Sequence, residues 1–366
     1  MIRSTGCHRL PAMLWLLLAS MALAAAPAVA SSRTRHARAE SKLFTNPVIG
    51  RGQDPSITTY RHRYFLVQSG PLNTITIRRA RSIKALAAAP KRVIWRGGEA
   101  GTPCCGWWAP ELHMVDGGWY IYAAADDGTN ADHRLQVLRS GSSSPLGPYR
   151  YVGELTTPGD LWSIDPSPLE RPDGALFMFW SGWSDTENRV QNIYIASMSN
   201  PWTLVGSRVL LSTPQYAWER HPNPGKQPAF VNESPEPFLH GSTLSVTYSG
   251  SGCETPNYAL GLLHAQLASD LLSPLSWTKS TVPILHSNLG AGIYGPGSNG
   301  WFASPSDGQT WIAFHAVRNP TGNCGGKRQV YAEPVRWNPD GTPNLGGMPR
   351  PTRARLKVPS GDPGLP

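Results

Sequence analysis

Charge is scarce in this chain. Only 16% of its 366 residues are Asp, Glu, Lys or Arg, too few for a coiled coil or a solvated disordered chain. No Cys-x-x-Cys pair occurs, so the cysteines do not have the spacing of a zinc site. A P-loop and a G-x-S-x-G elbow are both missing, which removes one phosphate-cradling signature and the usual serine-nucleophile signature. Beyond residue 30 no apolar run reaches the ~20 residues that a membrane helix needs. Long helices are disfavoured as well, because 37 Gly and 35 Pro punctuate the chain. Without a collagen period, that composition implies many short strands joined by tight turns. The 14 Trp and 12 Tyr suit strands or a sugar-binding surface.

The first thirty residues differ from the rest. Arg3 and Arg9 precede an apolar run, Met13 to Ala26, and Ala28-Val29-Ala30 offers a small-x-small cleavage site. This predicts a secretory signal peptide over 1–30 and an exported protein, with no membrane span in the mature chain. Residues 31–42 are polar and basic and read as a disordered lead-in, leaving 43–366 as one domain. The net charge of +9 has no stripe or helix face to gather on, so a solvated surface is expected and not a nucleic-acid groove. Cys7 leaves with the signal; Cys104, Cys105, Cys253 and Cys324 remain. Two disulfides with three possible connectivities follow. Adjacent Cys104 and Cys105 could bridge to each other or each reach elsewhere. The loop positions predict that the disulfides brace the active face.

The chain repeats itself. Five strand-like runs recur: RYFLVQSG (63–70), GWYIYAAA (118–125), ALFMFWSG (175–182), TLSVTYSG (243–250) and TWIAFHAV (310–317). Ahead of each stands an anchor marked by proline or glycine: Asp54-Pro55, Trp108-Ala109-Pro110, Asp165-Pro166, Glu233-Ser234-Pro235 and Gly295-Pro296-Gly297. Units of about sixty residues, each filled by about four strands, are the signature of propeller blades. The expected fold is therefore all-β, a five-bladed β-propeller. A jelly-roll sandwich would also show short strands, but it gives no reason for an anchor in every unit. Residues 43–50 resemble a closing strand and are expected beside the last blade.

In a propeller the innermost strands begin on one face and line one channel. Three anchors carry an acid: Asp54, Asp165 and Glu233. The repeat brings them together around one axis. Paired carboxylates flanking a sugar ring are the machinery of glycoside hydrolysis, one protonating the leaving oxygen and the other activating water from the opposite side. A third carboxylate raises the acid's pKa by like-charge repulsion. A lone Asp-Pro is usually a turn; three acids in phase with a repeat are not so readily dismissed. Trp183, just past the blade-three strand, is expected either to stack on sugar or to fill the wall. Glu111 is expected to be structural, paired with backbone or Arg. Glu236 also precedes a proline and is the rival to Glu233.

These motifs resemble glycoside hydrolase family 43, the five-bladed arabinofuranosidases, xylosidases and arabinanases, from about residue 44 to 350. Trp108-Ala109-Pro110-Glu111-Leu112-His113 is similar to that family's second-blade signature. Val231-Asn232-Glu233-Ser234-Pro235 is similar to its E-G-P motif, with Ser234 in place of Gly. Tyr258-Ala259-Leu260-Gly261-Leu262-Leu263 and Trp337-Asn338-Pro339-Asp340-Gly341 continue the likeness. The resemblance implies that Asp54 is the general base, Glu233 the general acid and Asp165 the modulator of its pKa. It implies that Trp108 walls the sugar subsite and that Arg328 reaches the sugar hydroxyls. It also implies that His315 sits near a channel-bound structural Ca2+ where one is present, with no cofactor required for the reaction. Ser298 stands where the family often has histidine, which puts contacts on that side in question. The expected activity is secreted, inverting release of L-arabinofuranosyl residues from arabinan or arabinoxylan of the plant cell wall, by a monomer. A β-xylosidase or endo-arabinanase is the nearest alternative; a non-catalytic sugar-binding propeller is a further one.

Overall fold

A computed structural model describes residues 42–364 apart from 100, 188, 226–228 and 323. The expected signal peptide and the lead-in lie outside the described residues, except Lys42. Its carbonyl accepts a hydrogen bond from the Val358 amide at 2.9 Å, so it belongs to the folded body.

Each of the five recurring runs is the second strand of an antiparallel blade: Arg63–Gly70, Gly118–Asp126, Leu176–Trp183, Thr243–Gly250 and Thr310–Val317. Their inner partners are Ser56–Tyr60, Cys105–Val115, Ser163–Glu170, Phe230–His240 and Tyr294–Ala303. A third strand pairs on the outer side of every second strand. Blades 1 to 4 add a fourth strand in sequence. Blade 5 borrows its fourth from the start of the fold. Val330 exchanges backbone hydrogen bonds with Ile49, and the Asn46 side chain makes two bonds to Ala332. Leu43–Phe44 also pairs with Leu356–Lys357, so both ends of the described chain meet at this seam. The closing strand expected of residues 43–50 is found there.

The second strands are buried on both faces, so successive side chains serve opposite neighbours. Tyr64 and Leu66 enter the core shared by blades 1 and 5; Phe65 and Val67 enter the one shared with blade 2. Met178 and Trp180 face blade 2, whereas Phe177 and Phe179 face blade 4. The fifth core joins Leu260 and Leu285 of blade 4 to Ile312 and Phe314 of blade 5. Five apolar seams thus join five blades in a ring.

Both disulfide questions resolve. Cys104 bridges its neighbour Cys105, and Cys253 bridges Cys324 across 71 residues. The second ties the upper loop of blade 4 to that of blade 5, as expected of a brace. The first closes only on itself and is not among the residues lining the central cavity. Replacing Cys253 and Cys324 together by Ser is expected to cost about 4 kcal/mol from the loop they close. Differential scanning calorimetry checks this as a lowered Tm.

Candidate active site

One backbone device recurs in every blade. Asp54, Ala109, Asp165, Ser234 and Ser298 all have left-handed φ, between 40° and 53°. In four blades the next residue is proline: Pro55, Pro110, Pro166 and Pro235. Proline has no N–H for the ladder, and the inner strands of blades 2 to 5 slip register at this point. Such bulges re-aim side chains, here toward the axis. Asp54 and Asp165 are themselves the left-handed residues of their blades. Glu233 sits one position before its own, which is Ser234.

All three acids line one central cavity of about 660 Å³, together with Trp108, Trp162, Tyr258 and Arg328. An Arg328 Nη1 donates to Asp54 Oδ1 at 3.2 Å. The Asp54 amide donates to His315 Nδ1 at 3.3 Å, and that nitrogen stands 3.2 Å from Asp54 Oδ1. Burial alone would raise the Asp54 carboxyl. The guanidinium of Arg328 and the contact with His315 outweigh it and hold the group well below the usual carboxylate range. Asp54 is therefore ionised at neutral pH.

The other two acids behave oppositely. Asp165 Oδ2 accepts from the Ser234 amide at 3.0 Å and from its hydroxyl at 3.2 Å. Asp165 thereby holds the backbone immediately after Glu233. Tyr258 donates to Glu233 Oε1 at 2.8 Å. Burial pushes the pKa of Glu233 up, and the charges of Asp165 and Asp54 push it further. Burial and Asp54 raise that of Asp165 too. Two carboxyls so placed hold a proton between them through neutral pH. Tyr258 favours the charged form of Glu233, so Tyr258→Phe should move the alkaline limb of the kcat/KM–pH profile upward. The accompanying fall in kcat should be under about tenfold, the worth of one hydrogen bond.

Trp108 remains 42% exposed and stacks on His133 with centroids 3.8 Å apart, as a wall open to a ligand would. For Trp183 the sugar-stacking expectation is corrected and the wall-filling one holds. This residue is only 5% exposed and lies outside the cavity lining. Trp162 faces the cavity instead, stacked on Trp183 at 4.8 Å. The signal for Trp162 is its place just ahead of the Asp165 anchor. Glu111 is a second correction: its partners are His113, 2.8 Å away, the Ser167 hydroxyl and the carboxyl of Glu236, neither backbone nor Arg. Burial pushes Glu111 up to about 8, and burial with the nearby Glu111 pushes Glu236 well above its usual range. These two acids form a lower tier of the channel. A void of about 10 Å³, room for roughly one water, separates them from Asp54. Glu236 is therefore beneath the cavity that Glu233 lines.

Ser298 fills its position without an imidazole. Its hydroxyl bonds Asp54 and lies 3.4 Å from that of Ser234, bridging two acid-bearing anchors. Tyr258 is a site residue that sequence reasoning misses. Its ring lies parallel to His315, and a side chain on Gly297 would meet it at 2.1 Å, so that glycine makes room for the tyrosine. His315 has a lowered pKa from burial and the nearby Arg328. Among the described residues no three His, Cys, Asp or Glu side chains group as a metal site. The protein ligands around His315 do not by themselves make a cation cage.

The profile of the glycosyl hydrolases family 43 matches residues 44–343. The chain belongs to this family. An extracellular exo-alpha-(1->5)-L-arabinofuranosidase of Streptomyces avermitilis is 35% identical over 84% of this chain. The chain spans 64% of that relative's length. A protein of the same description from Streptomyces chartreusis is 31% identical, covering 82% of this chain and 88% of the relative. Among solved structures, an alpha-L-arabinofuranosidase from Lactobacillus brevis aligns with a TM-score of 0.76 at 32% identity, over 85% of this chain and 98% of that one. The family's five-bladed propeller is the fold seen in this chain.

Proposed function

We propose that residues 43–366 form a secreted, monomeric, inverting α-L-arabinofuranosidase acting on arabinan or arabinoxylan. The opposed protonation of Asp54 and Glu233 in one cavity carries the reading. Asp54 takes a proton from water as that water attacks the anomeric carbon. Glu233 delivers its proton to the departing glycosidic oxygen. Asp165 keeps Glu233 protonated by like charge and fixes it through Ser234. Arg328 and Trp108 bind and orient the sugar. The relatives described as exo-acting arabinofuranosidases support the choice of arabinose and of terminal attack. A structural cation beside His315 would take its remaining ligands from backbone oxygens or water, and no step depends on it.

Release of arabinose from a linear arabino-oligosaccharide tests the activity. Proton NMR of the anomer first released tests the stereochemistry. A retained anomer would contradict Asp54 as base, and no release of arabinose together with release of xylose from a xylo-oligosaccharide would move the assignment to a xylosidase.

A further inference from the structure

Beside the central cavity lies a second cleft of about 600 Å³, between blades 1 and 5. Gln53, Ser69 and Arg328 line both, so the two are contiguous. Its charge is of one sign. Arg51, Arg78 and Lys91 join Arg328 in the lining, and no carboxylate lines it among the described residues. Arg51 and Lys91 are exposed at its mouth. Arg78 is only 9% exposed, yet its guanidinium meets only carbonyls, the nearest being those of Leu86 and Ala87. The Nε of Arg78 and that of Arg328 have no hydrogen-bond partner among the described residues. Arg328 has Asp54 as its counter-charge, but Arg78 has none among the described residues; a buried cation so placed is costly, and an anion arriving in the cleft would offset that cost.

We propose that this cleft is a subsite for a carboxylate-bearing sugar, a uronate unit of the polysaccharide that carries the arabinofuranosyl group. This rests on the arabinofuranosidase reading. Guanidinium groups bind carboxylates through paired, charge-assisted hydrogen bonds. Gln53, Gln68 and Ser69 supply the uncharged amide and hydroxyl groups that suit sugar hydroxyls. The volume falls within the range of sugar- and drug-sized sites. The enzyme would thus favour arabinofuranosyl groups borne on acidic chains over those on neutral ones.

The test compares two substrates: an arabinofuranosylated oligosaccharide carrying a uronate, and the same compound with its carboxyl reduced to the alcohol. Wild type should favour the acidic one in kcat/KM by about tenfold at low salt, the worth of one good ionic contact. The preference should shrink toward unity in 1 M NaCl, where screening is short-ranged. The double variant Arg51→Gln, Lys91→Gln should lose most of it, while its rate on 4-nitrophenyl α-L-arabinofuranoside stays within about twofold of wild type. Free galacturonate should inhibit the wild type on the acidic substrate and inhibit the double variant less. Equal rates on the two substrates, or a preference that survives in the double variant, would overturn the proposal. Inactivity of wild type on the nitrophenyl arabinofuranoside would instead overturn the catalytic reading.

Discussion

Glu233→Ala should lower kcat/KM on an unactivated arabinofuranosyl linkage by about a thousandfold, within the usual range for a general acid. On 4-nitrophenyl α-L-arabinofuranoside the loss should be far smaller, because nitrophenolate departs without a proton. Asp54→Asn should behave differently. Water must be activated whatever the leaving group, so both substrates should lose activity by a similar, large factor. The pair of substrates thus separates the two roles. Equal losses on both for Glu233→Ala would remove it as the proton donor, and a leaving-group-dependent loss for Asp54→Asn would remove it as the base. Glu236→Gln serves as the control, since Glu236 sits in the lower tier with Glu111.

Arg328→Met should move the acid limb of the kcat/KM–pH profile upward. In the wild type, burial raises Asp54, and Arg328 with His315 more than reverses that. Remove the guanidinium and burial prevails, so the base takes up a proton at a higher pH. On that limb the rate at a fixed acid pH falls about tenfold for every pH unit the limb moves. Arg328→Lys keeps the charge and should hold the limb closer to its wild-type position while raising KM. The same ion pair affects stability. A carboxyl whose folded pKa is depressed stabilises the fold above its unfolded pKa, and that contribution is lost as pH falls toward the folded value. Denaturant midpoints should therefore depend less on acid pH in the Met variant. An unchanged acid limb in Arg328→Met would show that another group sets the charge of Asp54.

Much of this arrangement is legible in the chain itself. The second strands can be read because a strand buried on both faces is a continuous apolar run, and five such runs recur with their turns. Asp54 and Asp165 can be read because each falls at an anchor before a proline. Glu233 is offset by one residue from the left-handed position, and only the family motif fixes its register. Trp183 and Trp162 cannot be told apart by sequence, since both sit where the channel-facing strands of blade 3 begin and end. Their stacking order depends on which ring lies behind the other. The Glu111–Glu236 contact is hidden for a different reason. Two acids invite repulsion in a sequence reading, and only a shared proton in a buried channel makes them neighbours. The basic cleft draws its residues from widely separated strands and loops of blades 1 and 5, which scatter along the chain.

The clasp between Leu43–Phe44 and Leu356–Lys357 has a consequence for biogenesis. A ribosome delivers Phe44 long before Leu356, yet both fill the same apolar seam. Until Leu356 has been made, the nascent chain holds the flank of its first blade open, with Ile57, Tyr64 and Leu66 lacking part of their cover. Such uncovered surface invites aggregation. Chains that stop short of Leu356 should therefore accumulate as insoluble or chaperone-bound material, although every group that touches the sugar has already been made.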